Sequence, residues 1–183
     1  MIVIKFGGHA MRDSEGLFAH AMQSALDMGE QCIIVHGGGP QIDAALKVAN
    51  LGSSYLGGFR VTAAETFDIV QRVLTGEVLR NLVAQLRDVG INAAGLTGRD
   101  GGLLIGKRLR QLVDGTPADL GQGEEVVRVD TASLDAVLSA GFLPVVHPVP
   151  AQGERVEESW TRGFQCSAAL GAAATDGARA QDR

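Results

Sequence analysis

Two glycine clusters stand directly behind short apolar runs. Gly7 and Gly8 follow Ile2-Val3-Ile4-Lys5-Phe6, and Gly37, Gly38 and Gly39 follow Cys32-Ile33-Ile34-Val35 across His36. Glycines at the end of a buried strand let backbone N–H groups come close to an anion, and the N-terminus of a following helix adds the positive end of its dipole. Lys5 lies two residues before Gly7. A lysine near the end of a buried strand is costly unless paired, so it calls for a phosphate or a carboxylate. Strand alternation puts Ile2 and Ile4 on one face and Val3 and Lys5 on the other. That places the ammonium at the strand's C-terminal edge, facing a cleft between the two glycine loops. Arg60, in Gly57-Gly58-Phe59-Arg60-Val61-Thr62, offers a planar fork suited to a carboxylate. The chemistry these residue types can do together is the binding of anions.

Other chemistries find less support. No Gly-x-Gly-x-x-Gly opens a helix, so a dinucleotide site is not indicated. The run Gly101 to Lys107 fits the first positions of a phosphate-binding P-loop. Arg108 then stands where a Ser or Thr would hold magnesium, and Leu103-Leu104-Ile105 reads as strand. His9, His20, His36 and His147 show no metal-ligand spacing, and no Ser/His/Asp or Cys/His arrangement is evident.

The elements that must position these residues alternate. A strand over 2–6, a helix from Ser14 to Met28 with Ser14 as its cap and Gly29 as its stop, a strand over 32–35, and a helix opened by Pro40 come first. Thr62 and Glu65 read as a capping box before a long periodic segment, Phe67 to Leu86, with a bend at Gly76. A strand over 91–96 follows, then a hairpin of 103–105 with 126–129 around a polar excursion at 114–124. A short helix through Leu134, Val137 and Leu138 and a strand over 142–146 complete the pattern. Strands alternating with helices predict an α/β fold with a mostly parallel sheet and right-handed crossovers.

Composition bounds the class. The 183 residues are 45% hydrophobic and 20% charged, enough for a buried core. The net charge of −5 argues against a general nucleic-acid binder. Cys32 and Cys166 are too few for a disulfide framework or a cysteine zinc site, and Cys32 reads as a small buried hydrophobe. The N-terminus lacks the basic region of a signal peptide and no run approaches a membrane span. A soluble, cytoplasmic protein with no membrane or nucleic-acid partner is the expectation.

Several segments carry a resemblance. Ile4-Lys5-Phe6-Gly7-Gly8, Val35-His36-Gly37-Gly38-Gly39-Pro40-Gln41-Ile42-Asp43, Gly58-Phe59-Arg60-Val61-Thr62, Gly95 to Gly102, and Gly141-Phe142-Leu143-Pro144-Val145-Val146 closely resemble the acetylglutamate kinase branch of the amino acid kinase family. The match runs from residue 1 to about 150 in order and spacing. It implies an αβα sandwich whose N-terminal lobe binds an acyl-amino acid and whose C-terminal lobe binds ATP. The implied activity is ATP-dependent phosphorylation of the side-chain carboxylate of N-acetyl-L-glutamate in arginine biosynthesis, with ATP and magnesium as co-substrate. The family also implies a homodimer or higher homo-oligomer. By resemblance, Lys5 stabilises the transferring phosphoryl group, Gly7, Gly8 and Gly37 line the phosphate path, and Gly38, Gly39 and Arg60 hold the substrate.

The resemblance fades after the 142–146 strand. Where the family carries an Asn-x-Asn-Ala-Asp-type segment, this chain reads Glu158-Ser159-Trp160-Thr161-Arg162-Gly163-Phe164-Gln165. The expectation is an amino-acid-binding lobe over 1–150, cut short before the nucleotide lobe. A divergent Ala-rich tail over 151–183 follows, with a weak helix around 165–174 and no chemistry of its own. Two alternatives stay open: a non-catalytic module that binds substrate or self-associates, and a relative that phosphorylates an aminoadipate group on a carrier protein.

Overall fold

Ile2–Phe6 forms strand β1, and Cys32–His36 forms β2. The computed structural model of the chain describes residues 1–7, 16–152 and 170. Gly8, the Ser14 cap, Cys166 and the 165–174 helix lie outside the described residues, apart from Leu170, which is buried in the core. Helix α1 (Leu17–Asp27) joins the first two strands; its first turn is preceded by Gly16, and Gly29 closes it with a φ of 84° and an N–H bonded to the Leu26 carbonyl. Helix α2 (Gly39–Val48) starts at the last glycine of the second loop with Pro40 in its first turn, where a missing N–H loses nothing.

The central sheet adds β5 (Ala93–Thr97) and β8 (Leu143–His147), in the order β1-β2-β8-β5, with every pairing parallel. The fully buried runs Ile33-Ile34-Val35 and Val145-Val146 are what a strand covered on both faces requires. One face packs Ile4, Phe6, Ile34 and Val145 against Met22 of α1 and Leu79, Leu82 and Leu86 of α4 (Leu79–Asp88). The other packs Val3, Ile33, Val35 and Val146 against Leu134 of α5 (Ala132–Ser139) and Leu104 of the hairpin β6–β7 (Leu104–Arg108 and Glu124–Val129). The predicted alternation in β1 is met: Val3 and Ile4 serve opposite faces.

Three expectations are revised. Thr62 caps no helix. Its backbone bridges to the 120–122 segment, accepting from the Gln122 N–H and donating to the Leu120 carbonyl, and α3 (Ala64–Arg72) begins after Ala63 with no side-chain cap. A β-hairpin that the sequence reading did not find, β3 (Ser54–Leu56) with β4 (Phe59–Val61), presents Arg60. The tail also supplies a strand where none was expected: β9 (Ala151–Gln152) pairs in parallel with β6. The bend at Gly76 is realised as a π-helical turn, Val73–Val78, between α3 and α4. The rejected P-loop match divides into a tight turn at Asp100–Gly102 and strand β6.

The Thr62 bridge is close. Gly121 has a φ of 62°, and a Cβ there would lie 2.2 Å from the Thr62 carbonyl oxygen. Gly121→Ala should therefore lower stability by about 2 kcal/mol, since it combines a left-handed backbone with overpacking. Thermal melts of the two chains test this; an unchanged midpoint would show that the excursion moves freely off β4.

Candidate anion site at the strand ends

The carboxyl ends of β1 and β2 lie side by side, with Lys5 opposite Val35 and Phe6 opposite His36. In an open parallel sheet this edge is where ligands sit. The Gly37 N–H donates to the Phe6 carbonyl at 3.0 Å, so it ties the second loop to the first strand. The N–H groups of Gly38 and Gly39 take no partner among the described residues, and they stand at the first turn of α2, where helix donors are left over. Of the three glycines, Gly38 and Gly39 are thus the ones with hydrogen bonds to offer.

Lys5 is exposed, and its Nζ lies over Gly7, 3.2 Å from where a Cβ on Gly7 would sit. No carboxylate pairs with it among the described residues. Phe6 turns inward and stacks on Phe18 of α1, ring centroids 3.9 Å apart, which fixes the end of β1. The structure therefore brings Lys5, Gly7, Gly38 and Gly39 to one edge.

Arg60 joins them through a residue the sequence reading quoted but gave no role. Its guanidinium is 3% exposed and forms an ion pair with Asp43 at 2.7 Å. It also donates to the Ser53 and Tyr55 hydroxyls and lies over the Tyr55 ring, 4.7 Å from the centroid. Tyr55 stands directly opposite Arg60 in the hairpin. Burial works against ionisation of Asp43, but the hydrogen bonds from Arg60 and Ser53, the Arg60 charge and the Tyr55 hydroxyl together hold its carboxyl below the usual range. Asp43 lies one helical turn beyond Gly39, so it links the arginine to the glycine loop. The signal was there: a carboxylate four residues into a helix that opens at the anion loop shares that helix's near face.

Beneath the loop lie two buried histidines. The Nδ1–H of His36 donates to its neighbour's carbonyl, at Gly37, while the Nδ1 of His147 accepts from the Val149 N–H at 3.1 Å. The rings meet edge to face at 5.8 Å, and neither Nε2 has a partner among the described residues. Burial pushes the His36 pKa down to about 4; burial and then the His36 charge push His147 to about 3. Unfolded imidazoles take up protons from about pH 6.5, so between there and pH 5 the unfolded chain holds more protons than the native one. Stability should fall with pH across that window, by about 1.4 kcal/mol per unit for each histidine. Melts from pH 7 to pH 5 should show this decline, with roughly half of it gone in His147→Gln; a flat profile would mean that the rings are not held neutral.

The profile of the amino acid kinase family matches residues 1–179. The chain belongs to the amino acid kinase family. Among curated relatives, the acetylglutamate kinase of Bifidobacterium longum subsp. infantis is 42% identical over 175 residues, covering 94% of this chain and 57% of that protein. The acetylglutamate kinase of Beutenbergia cavernae is 43% identical over 151 residues, covering 81% of this chain and 48% of its own length. This amino acid kinase chain thus spans about half the length of the curated relatives it matches. Among solved structures, smu.665 from Streptococcus mutans UA159 superposes with a TM-score of 0.83 at 23% identity, covering 94% of this chain and 68% of that one. N-acetylglutamate synthase from Neisseria gonorrhoeae, solved with coenzyme A and N-acetyl-glutamate, gives 0.67 at 21%, covering 93% and 38%. At those identities the superpositions speak for the shared fold. No helix among the described residues is long and apolar enough to cross a membrane.

Proposed function

We propose that this chain forms the acyl-amino-acid half of an acetylglutamate kinase. In this reading it binds N-acetyl-L-glutamate and presents the side-chain carboxylate to the γ-phosphoryl group of ATP. The observation that carries the reading is the N–H pair of Gly38 and Gly39, without partners among the described residues, at the same sheet edge as Lys5, in a chain about 40% identical to proteins named acetylglutamate kinase. Gly38 and Gly39 receive the reacting carboxylate. The Arg60 fork, already holding Asp43, receives the second carboxylate. A carboxylate oxygen attacks phosphorus, the bond to the β-phosphate oxygen breaks, and ADP leaves with an acyl phosphate formed. Lys5, with Gly7 beside it, faces the transferring group, whose charge needs neutralising more than covalent help. No cluster of three metal-ligating side chains forms among the described residues. In this reading magnesium comes with the ATP phosphates, as part of the co-substrate.

The test has two arms. Calorimetry with N-acetyl-L-glutamate reads binding, and a coupled ADP-release assay with magnesium and ATP reads turnover. Binding with turnover supports the kinase. Binding without turnover supports the second reading, a non-catalytic module that binds substrate or self-associates. A carrier protein bearing an aminoadipate group, phosphorylated in preference to N-acetyl-L-glutamate, would redirect the substrate. No binding of either ligand ends the proposal. As a member of its family the protein is further proposed to be a cytoplasmic homodimer or higher homo-oligomer; light scattering showing a clean monomer at micromolar concentration would count against that assembly.

A further inference from the structure

The glycine at position 38 owes its small size to what lies below it. Gly38 is buried, whereas Gly37 and Gly39 are partly open. A Cβ on Gly38 would stand 2.7 Å from Leu74 Cδ2 and 3.2 Å from Val78 Cγ2. A Cβ on Gly39 would meet nothing within 4 Å. The φ of Gly38 is 177°, an extended angle open to any residue, so the backbone itself does not demand glycine. The demand comes from Leu74 and Val78, both buried and both in the π-helical turn Val73–Val78.

That turn is an unusual piece of backbone for a floor. A π-turn takes up about one residue more than an α-turn, or about 100° of helix phase. It separates α3, whose Phe67 and Val70 pack on Ile42 and Leu46 of α2, from α4, whose Leu79, Leu82 and Leu86 pack on the central sheet. The extra residue lets one continuous helix satisfy both partners, and Leu74 and Val78 close the gap under the loop between them. The geometry points to Leu74 and Val78 as positioning residues. They set the height of the Gly38 peptide, and through it the aim of the two N–H groups that the proposed function assigns to the reacting carboxylate. The inference rests on that reading for its ligand, but the loop contact stands without it.

The contact predicts a specific rescue in the 183-residue chain. Gly38→Ala should displace the loop, move the amide resonances of Gly39, Gln41 and Ile42, and weaken N-acetyl-L-glutamate binding at least tenfold in calorimetry. Adding Leu74→Ala makes room for the new methyl. The double variant should return those resonances close to their parent positions and bring affinity back to within about threefold of the parent. If Gly38→Ala fails to fold, recovery of the fold by Leu74→Ala is the same rescue. The inference is overturned if the double variant stays as impaired as Gly38→Ala, or if Gly38→Ala alone leaves amides and affinity unchanged. If the parent chain binds no N-acetyl-L-glutamate, the proposed function falls, and the amide resonances alone decide whether Leu74 sets the loop.

Discussion

Lys5→Ala, placed in a chain that carries a full-length relative's second half, should reduce phosphorylation of N-acetyl-L-glutamate by about 10²–10³-fold while leaving KM for that substrate nearly unchanged. The Nζ lies over Gly7 at the strand edge, exposed, with no carboxylate beside it among the described residues. A group in that position adds little to the fold, so its removal should leave the melting midpoint where it was. It meets charge that develops on the transferring group rather than charge already present on the substrate, which is why kcat and not KM should move. Lys5→Arg should recover little, because a broad fork does not replace a compact ammonium. A Lys5→Ala chain that works at the parent rate would remove Lys5 from the mechanism and leave the glycine loops to carry the anion site.

The second large effect is at Arg60. Arg60→Ala should cost about 3 kcal/mol of stability, the price of opening a buried pair and stranding its partners. Asp43 is 46% exposed, so part of its charge can return to water, and that keeps the figure toward the lower end. Binding of N-acetyl-L-glutamate should fall a hundredfold or more, about 2.7 kcal/mol, since a second carboxylate loses its fork. Arg60→Lys should recover some stability and little binding. The contrast to look for, by melting and calorimetry together, is Asp43→Asn. It should lower stability by about 1–2 kcal/mol through the weakened pair yet leave the guanidinium in the site. Equal loss of affinity in Arg60→Ala and Asp43→Asn would mean that Arg60 receives the ligand only while Asp43 holds it in place.

What the sequence made legible follows from range. Patterns that repeat within one element were readable: the apolar runs of β1, β2 and β8, the glycine stops at Gly29 and Gly141, and Pro40 at the head of α2. Each depends on backbone geometry that a few neighbouring residues decide. The placement of the glycine loops at the strand ends was readable for the same reason, because glycines after strands mark it locally. What escaped depends on partners far along the chain. Thr62 has the spelling of a helix cap, but its backbone is claimed by the 120–122 segment. Tyr55 and Arg60 form a cross-strand pair in a hairpin only three residues a side, too short for alternation to reveal. Asp43 was visible as a letter, and only the fold shows that it meets a guanidinium seventeen positions away. The same limit hid the reason for Gly38, whose constraint lies thirty-six residues downstream in Leu74.

The strand order has a consequence for how the chain is made. Strand β8, residues 143–147, lies between β2 and β5, both of which are synthesised long before it. Until it arrives, β2 has one open edge and β5 has no sheet partner, and Ile33, Ile34 and Val35 stand beside an empty slot. A nascent chain thus carries an unpaired apolar edge from the completion of β2 until β8 is made, and the central sheet closes only when that strand slides in. Pairings that span more than a hundred residues are slow to form, and exposed strand edges in the meantime invite association with other chains. Shielding of that edge before residue 147 is synthesised is therefore the stage at which a chaperone is expected to matter most, which ribosome-bound chains stopped on either side of β8 would test.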